Sequence, residues 1–402
     1  MIAPVAELET PGEDKAFAVL TRAAELAAAG RDIVDLGCGT PGFRTPRFAA
    51  EAAAKAARDG RRDETPTLGL PSAREAVACR IHATIGVQVS PDRVVVTPGA
   101  KPALYAAILF RGEPGAEILH PDPGSPVYRA LIELTGARAI PVPMREENGF
   151  AFSAEETLSL ISRDTRLLIL NSPANPTGAV TSRLEIEKLV AGLADHPEIA
   201  ILSDETFAAL PTGGERATSL LEFPEIADRL IVVDGWSRSW GMSGWRLGWS
   251  VWPENLLTAV RRLAANTWTG ANAATQEAGI AAMEEAQEMV AATAEALDRR
   301  RRLVAELADR LPDVSCLIPA GAVYAFPNIK ATGWKSRPLA RALLDEAGVA
   351  VVGGAEFGEH GEGYLRISCA CPEEDILSAF RRIGAFLKTH EAEERKGGFR
   401  RP

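Results

Sequence analysis

An α/β architecture is what this sequence predicts: a mostly parallel sheet covered by helices on both faces, followed by a smaller α+β part. Three observations carry that expectation. Short apolar strands alternate with helical stretches, as they do where crossover helices cover a parallel sheet. The polar, Gly- and Pro-rich segments follow strands, and open parallel sheets gather their ligands at the carboxyl ends of strands. The chain has 402 residues, more than one simple core usually supports, so two domains are expected.

In chain order, residues 13–29 read as a helix stopped by Gly30, and Ile33–Leu36 as a short strand running into GCGTPGF. The Ala-rich stretch 47–59 is helical. Val94–Thr97 is a strand, followed by GAKPALYAAILF, a glycine turn that opens a helix. The strand Ile118–His120 enters a Pro/Gly loop. Leu167–Leu170 ends in NSPANPTG, Ile201–Ser203 in Asp204 and Glu205, and Leu230–Asp234 in GWSRSWGMSGW. Residues 281–311 read as a long helical stretch whose basic run Arg299–Arg302 is a solvated face. Strands near 322–327 and 364–370 and a helix near 373–388 complete the chain, with a disordered tail after them.

Composition excludes several classes. The net charge of -10 argues against nucleic acid as a partner, because such partners demand a basic face. No apolar run reaches the roughly 18 residues of a membrane span, and the first residues lack the basic start and apolar core of a secretory signal. Five scattered cysteines suggest reduced thiols and a cytoplasmic location. Cys369 and Cys371 could face one way on a strand, but no second Cys or His pair has ligand spacing, so no metal site is expected.

Taken singly, the loop motifs are weak; their order is the signal. LGCGTPGF, TPGAKPALYAAI, PDPGSPVY, NSPANPTG, SDETF, SRSWGMSGWRLGW, AGAVYAFPNIK and GEGYLRIS follow one another along residues 13–390. In that succession the chain resembles the class I/II aminotransferases of pyridoxal-phosphate (PLP) fold type I. The resemblance implies an N-terminal segment (1–45) belonging to a small domain, a large PLP-binding domain (46–285), a C-terminal small domain (286–390) and a disordered tail (391–402). It also implies a homodimer acting on an amino acid and a 2-oxo acid.

Site residues carry over by position. Asp204 matches the carboxylate beside the PLP ring nitrogen, and Asn175 the partner of the ring hydroxyl. Gly99, Ala100 and Lys101 match the turn that holds the phosphate, together with Arg246; a helix start plus a cation suits that group. Ser237 belongs to the same cofactor motif. Arg366 matches the arginine that grips the substrate carboxylate in a fork, and Gly39 the glycine lining the substrate side. Each has a plainer reading: Asp204 as a helix cap, Asn175 as a turn residue, Arg246 and Arg366 as members of structural ion pairs, Lys101 as a solvated side chain.

Four positions depart from the family pattern. Arg238 stands where the family carries the lysine that bonds the cofactor and shuttles a proton. An arginine side chain ordinarily stays protonated to above pH about 12, so it is neither nucleophile nor base near neutrality. Ser125 replaces an aromatic that stacks on the pyridine, Phe207 a tyrosine that reaches the ring hydroxyl, and Glu64 a tyrosine that reaches the partner subunit's phosphate. Four departures around one pocket point to divergence of the natural protein rather than one introduced change. The expectation is therefore PLP, or a PLP–amino acid adduct, bound without a covalent tether, with ordinary transamination doubtful. The alternatives are a repurposed, PLP-independent enzyme acting on an amino acid or carboxylate, and a non-catalytic binding or regulatory homologue.

Overall fold

The computed structural model describes residues 14–39, 44–60, 64–210, 216–285 and 287–395. Helix α1 (Asp14–Ala28) and strand β1 (Val34–Asp35) come first, then α2 (Arg47–Arg58) and α3 (Pro71–Ile85). The central run is β2 (Val94–Thr97), α4 (Lys101–Leu109), β3 (Glu117–Asp122), α5 (Pro126–Leu134), β4 (Arg138–Pro143), α6 (Ala154–Ser159), β5 (Thr165–Asn171), α7 (Arg183–Gly192), β6 (Ala200–Asp204), β7 (Leu230–Gly235), α8 (Trp236–Ser239), β8 (Gly248–Val251), α9 (Leu257–Asn266) and α10 (Ala273–Glu285). The chain closes with α11 (Gln287–Ala308), β9 (Tyr324–Ala325), α12 (Ser336–Ala347), β10 (Val349–Ala350), β11 (Val352–Gly353), β12 (Leu365–Ser368) and α13 (Glu373–Arg395).

Seven strands form one sheet in the order β2-β8-β7-β6-β5-β3-β4. All pairings are parallel except those of β8, which runs against both β2 and β7. Alternate residues of one strand feed two different cores. Val94, Val96, Leu168, Leu170, Ile201 and Val232 join the cluster on one face, whereas Val95, Leu167, Ile169, Leu202, Ile231 and Val233 join the cluster on the other. Burial on both faces is why these strands read as continuous apolar runs. The parallel arrangement brings the ends of β2, β3, β5, β6 and β7 to one edge, as their polar loops had indicated.

A second core gathers the chain's two ends. β11-β12-β9 is a three-stranded antiparallel sheet, and β1 pairs in parallel with β10. Val34 and Leu36 pack with Leu343, Val349, Ile367 and Phe380.

Some expectations need correction. The helical stretch expected across residues 281–311 is found as helix within α10 up to residue 285 and in α11 over Gln287–Ala308, with residue 286 outside the described residues. The run Arg299–Arg302 is not wholly a solvated face, because Arg301 is fully buried and donates to the Ala322 carbonyl at 2.6 Å. Every turn of an amphipathic helix points one or two residues inward, and Arg301 occupies such a position, four residues after Leu297 and three before Val304. The tail is not irregular from residue 391: α13 continues to Arg395, and 396–402 lie outside the described residues.

Candidate active site

The sheet edge assembles three corners. At the first, Asp204 ends β6 as a buried carboxylate. It accepts from the Tyr128 hydroxyl at 2.6 Å and from the Thr206 hydroxyl and amide at 2.8 and 3.2 Å. Burial pushes its pKa up, and these donors pull it back. Tyr128, wholly buried, has its own pKa pushed well above the usual phenol value by burial and then by the Asp204 charge. A carboxylate offers about four lone-pair sites, so Asp204 retains capacity for a further donor. Asn171 ties the neighbouring loop to it, donating to the Asp204 carbonyl at 3.0 Å and accepting from the Asn175 amide at 2.9 Å.

The second corner is a glycine turn. Gly99 has φ +83° and leads through Ala100 into α4, whose first residue is the exposed Lys101. The Arg246 guanidinium lies against Gly99 so closely that a Cβ there would collide with it. Arg246 itself has φ +53°, a left-handed conformation that costs a non-glycine residue roughly 1–3 kcal/mol. Its one hydrogen bond among the described residues runs to the Ser243 carbonyl at 3.2 Å. An exposed guanidinium beside amides at a helix start suits a phosphate, and the cradle is tight enough to exclude a side chain. Ser237 closes the loop by accepting from the Ser243 hydroxyl at 2.8 Å.

The third corner belongs to arginines. Arg366 on β12 is nearly buried and lies between Tyr324 and Phe357, its guanidinium carbon 4.4 and 4.7 Å from the two ring centres. It donates to the Gly37 carbonyl at 2.8 Å and the Asn175 side-chain oxygen at 3.0 Å, while its Nε is buried without a partner. It makes no ion pair among the described residues. Burial lowers its pKa, and nearby Arg238 adds to the lowering. Arg238, from α8, donates to the Gly39 carbonyl and lies 5.7 Å from the centre of the Phe207 ring. A side chain at Gly39 would collide with the Tyr324 hydroxyl, which explains the glycine.

The structure thus brings Gly39, Asn175, Asp204, Phe207, Arg238 and Arg366 into one neighbourhood, with Gly99, Ala100, Lys101, Ser237 and Arg246 at its phosphate-sized corner. Ser125 occupies the N-cap of α5 without a side-chain capping bond. Glu64 is exposed and makes no bond among the described residues. Cys369 is fully buried, and Cys371 donates to the Asp35 carbonyl at 3.2 Å, its thiol pushed up to about 12 by burial. Sequence reading missed Tyr128, Thr206, Tyr324 and Phe357. Tyr128 carried a signal, three residues after Ser125 on one helical turn. Phe357 carried none, because only tertiary packing brings it to Arg366.

Sheet order, strand polarity and these corners define a protein of PLP fold type I. The match is extensive: the structure of aspartate aminotransferase from Thermus thermophilus with maleate superposes with a TM-score of 0.90 at 30% identity, over 96% of this chain and 100% of that one. Aspartate aminotransferase of Pyrococcus horikoshii is 34% identical over 366 residues, 90% of this chain and 93% of the relative. That of Streptomyces avermitilis is 35% identical over 386 residues, 93% and 94% of the two. The family profile described as aminotransferase class I and II matches residues 31–383, and the chain belongs to that family. PLP is the cofactor the family implies.

Proposed function

We propose that this chain holds PLP without a covalent tether and binds an amino acid or 2-oxo acid beside it, with ordinary fast transamination lost. The observation that carries the reading is Arg238, a guanidinium that reaches the Gly39 carbonyl at the position the family resemblance gives to a lysine. The residues present fit the cofactor: Arg246 and the turn at Gly99, Ala100 and Lys101 would hold its phosphate, and Asp204 would accept from its ring nitrogen. The Asn175 oxygen is engaged by Arg366, which leaves its amide group to donate to the ring hydroxyl. When bound, PLP supplies an electron-accepting ring that weakens bonds at an amino acid's α-carbon.

Arg366 would hold the substrate carboxylate, its fork already oriented by Gly37 and Asn175. A guanidinium is a poor proton shuttle near neutrality, so the side chain at 238 is suited to holding a second anionic group rather than moving a proton. Two guanidinium groups in one pocket favour a dicarboxylate or an oxo acid, and the Thermus thermophilus relative was solved with a dicarboxylate. The same pair also supports a second reading, a PLP-independent carboxylate-binding site, because neither arginine needs the cofactor to grip an anion.

Calorimetric titration with maleate and with acetate tests the reading. The wild type should bind maleate more tightly, and Arg366→Ala should weaken it by about 10-fold or more, since a hydrogen bond to a charged group contributes roughly 1.5–3 kcal/mol. Equal binding by wild type and Arg366→Ala would refute the assignment.

A further inference from the structure

Near the ends of β6 and β7 lies a cavity of about 250 Å³, and Arg366 is not among the residues that line it. Its charged lining is of both signs, with the carboxylates Glu205 and Asp234 and the guanidinium groups of Arg80 and Arg216. Apolar walls come from Ile81, Ile85, Leu221, Val290, Trp240 and Trp249.

The carboxylate Asp234 is buried to 7% exposure. One oxygen accepts from the Gly235 amide at 2.6 Å; the other has no donor among the described residues. Burial pushes its pKa well above the usual carboxylate range, and the Glu205 charge adds to this. Glu205 is buried as well, accepting from the Ser203 hydroxyl and the Leu220 amide, each at 3.0 Å. The side chain of the half-buried Arg80 makes no hydrogen bond or ion pair among the described residues. Its guanidinium carbon lies 6.0 Å from the Trp240 ring centre. Arg216 has one long ion contact among the described residues, 3.8 Å to Glu222.

A buried carboxylate is costly unless something pairs with it, and no arginine among the described residues approaches within ion-pair distance of Asp234. We propose that this cavity is a second binding site, for a zwitterionic amino acid with an apolar side chain. Its ammonium group lies between Asp234 and Glu205, its carboxylate meets Arg80 and Arg216, and its side chain lies against Ile81, Ile85 and Val290. The volume fits the class, because pockets for drug-sized molecules run to roughly 300–1,000 Å³ and this one takes only a metabolite. Trp240, in the cavity wall, is the residue after α8, which carries Arg238.

The probe is L-leucine, titrated calorimetrically into the full chain without added PLP. Leucine should bind the wild type and Arg366→Ala alike, and Arg80→Met and Asp234→Asn should each weaken it at least 10-fold. Leucinamide, which lacks the carboxylate, and 4-methylpentanoate, which lacks the ammonium, should bind at least 10-fold more weakly than leucine. Near-ultraviolet circular dichroism establishes that each variant is folded; if one is not, Arg80→Gln and Asp234→Ser replace it. Absence of leucine binding to the wild type overturns the proposal. So does loss of binding in Arg366→Ala with both cavity variants unaffected, which would place leucine in the first site. The proposal does not rest on the function proposed above, and failure of the maleate titration leaves this one readable.

Discussion

At the scale of single residues, the proposed function has the pocket keep its anion holders and lose its base. On that reading Arg246 and Arg366 would hold phosphate and carboxylate, while a guanidinium at 238 stands in place of the amine that reacts with an aldehyde. Restoring that amine alone should not restore the enzyme. Ser125 offers no ring to stack, and Phe207 no hydroxyl to donate. A missing hydrogen bond costs about 0.5–1.5 kcal/mol and a missing stacking contact about as much, together on the order of tenfold or more in rate. Arg238→Lys, assayed with L-aspartate and 2-oxoglutarate, should therefore stay below the usual enzymatic range of about 1–1000 per second. Adding Ser125→Tyr and Phe207→Tyr should raise it further. Turnover within that range from the single change would mean that the rest of the pocket is intact.

At the scale of elements, the phosphate corner depends on how β8 packs beneath the glycine turn. Gly235 and Gly248 face each other across the β7–β8 pair, and a Cβ at Gly248 would run into the backbone of Gly99 and Ala100. Gly248→Ala must push the turn away from Arg246. Overpacking of this kind costs roughly 1–3 kcal/mol, so the variant should unfold at lower denaturant concentration and bind inorganic phosphate more weakly; unchanged stability and phosphate binding would contradict the packing argument. The strands ending in these loops were legible because both faces are buried and each became an apolar run closed by Gly, Pro or, in β6, by acidic residues. The reversed strand β8 was not read at all, since GWSV follows directly on the arginine motif and has no flanking turn of its own. Arg301 was misplaced for a related reason: four arginines in a row give no periodicity, and only the packing of α11 selects the one that points inward.

Across the whole molecule, function depends on chain segments far apart in sequence. Arg366 near the C-terminus donates to Gly37 near the N-terminus and to Asn175 in the middle, so the carboxylate corner exists only when both cores are assembled. Asp204, Asn175, Arg246 and Arg366 could be singled out as candidates because each lies in a motif whose order along the chain resembles the family's. Tyr324 and Phe357, which sandwich Arg366, and the charged cavity lined by Arg80 and Asp234 were not, because they arise from packing between segments with no local signature. The central claim is that the family's cofactor is held here without a covalent bond. It is tested most directly by incubating the full chain with PLP, measuring retained PLP by equilibrium dialysis, then reducing with borohydride and mapping the denatured chain by mass spectrometry. Retained PLP with no pyridoxyl group on any lysine, Lys101 included, is the predicted result. A pyridoxyl group fixed to a lysine, or no retained PLP at all, would contradict it.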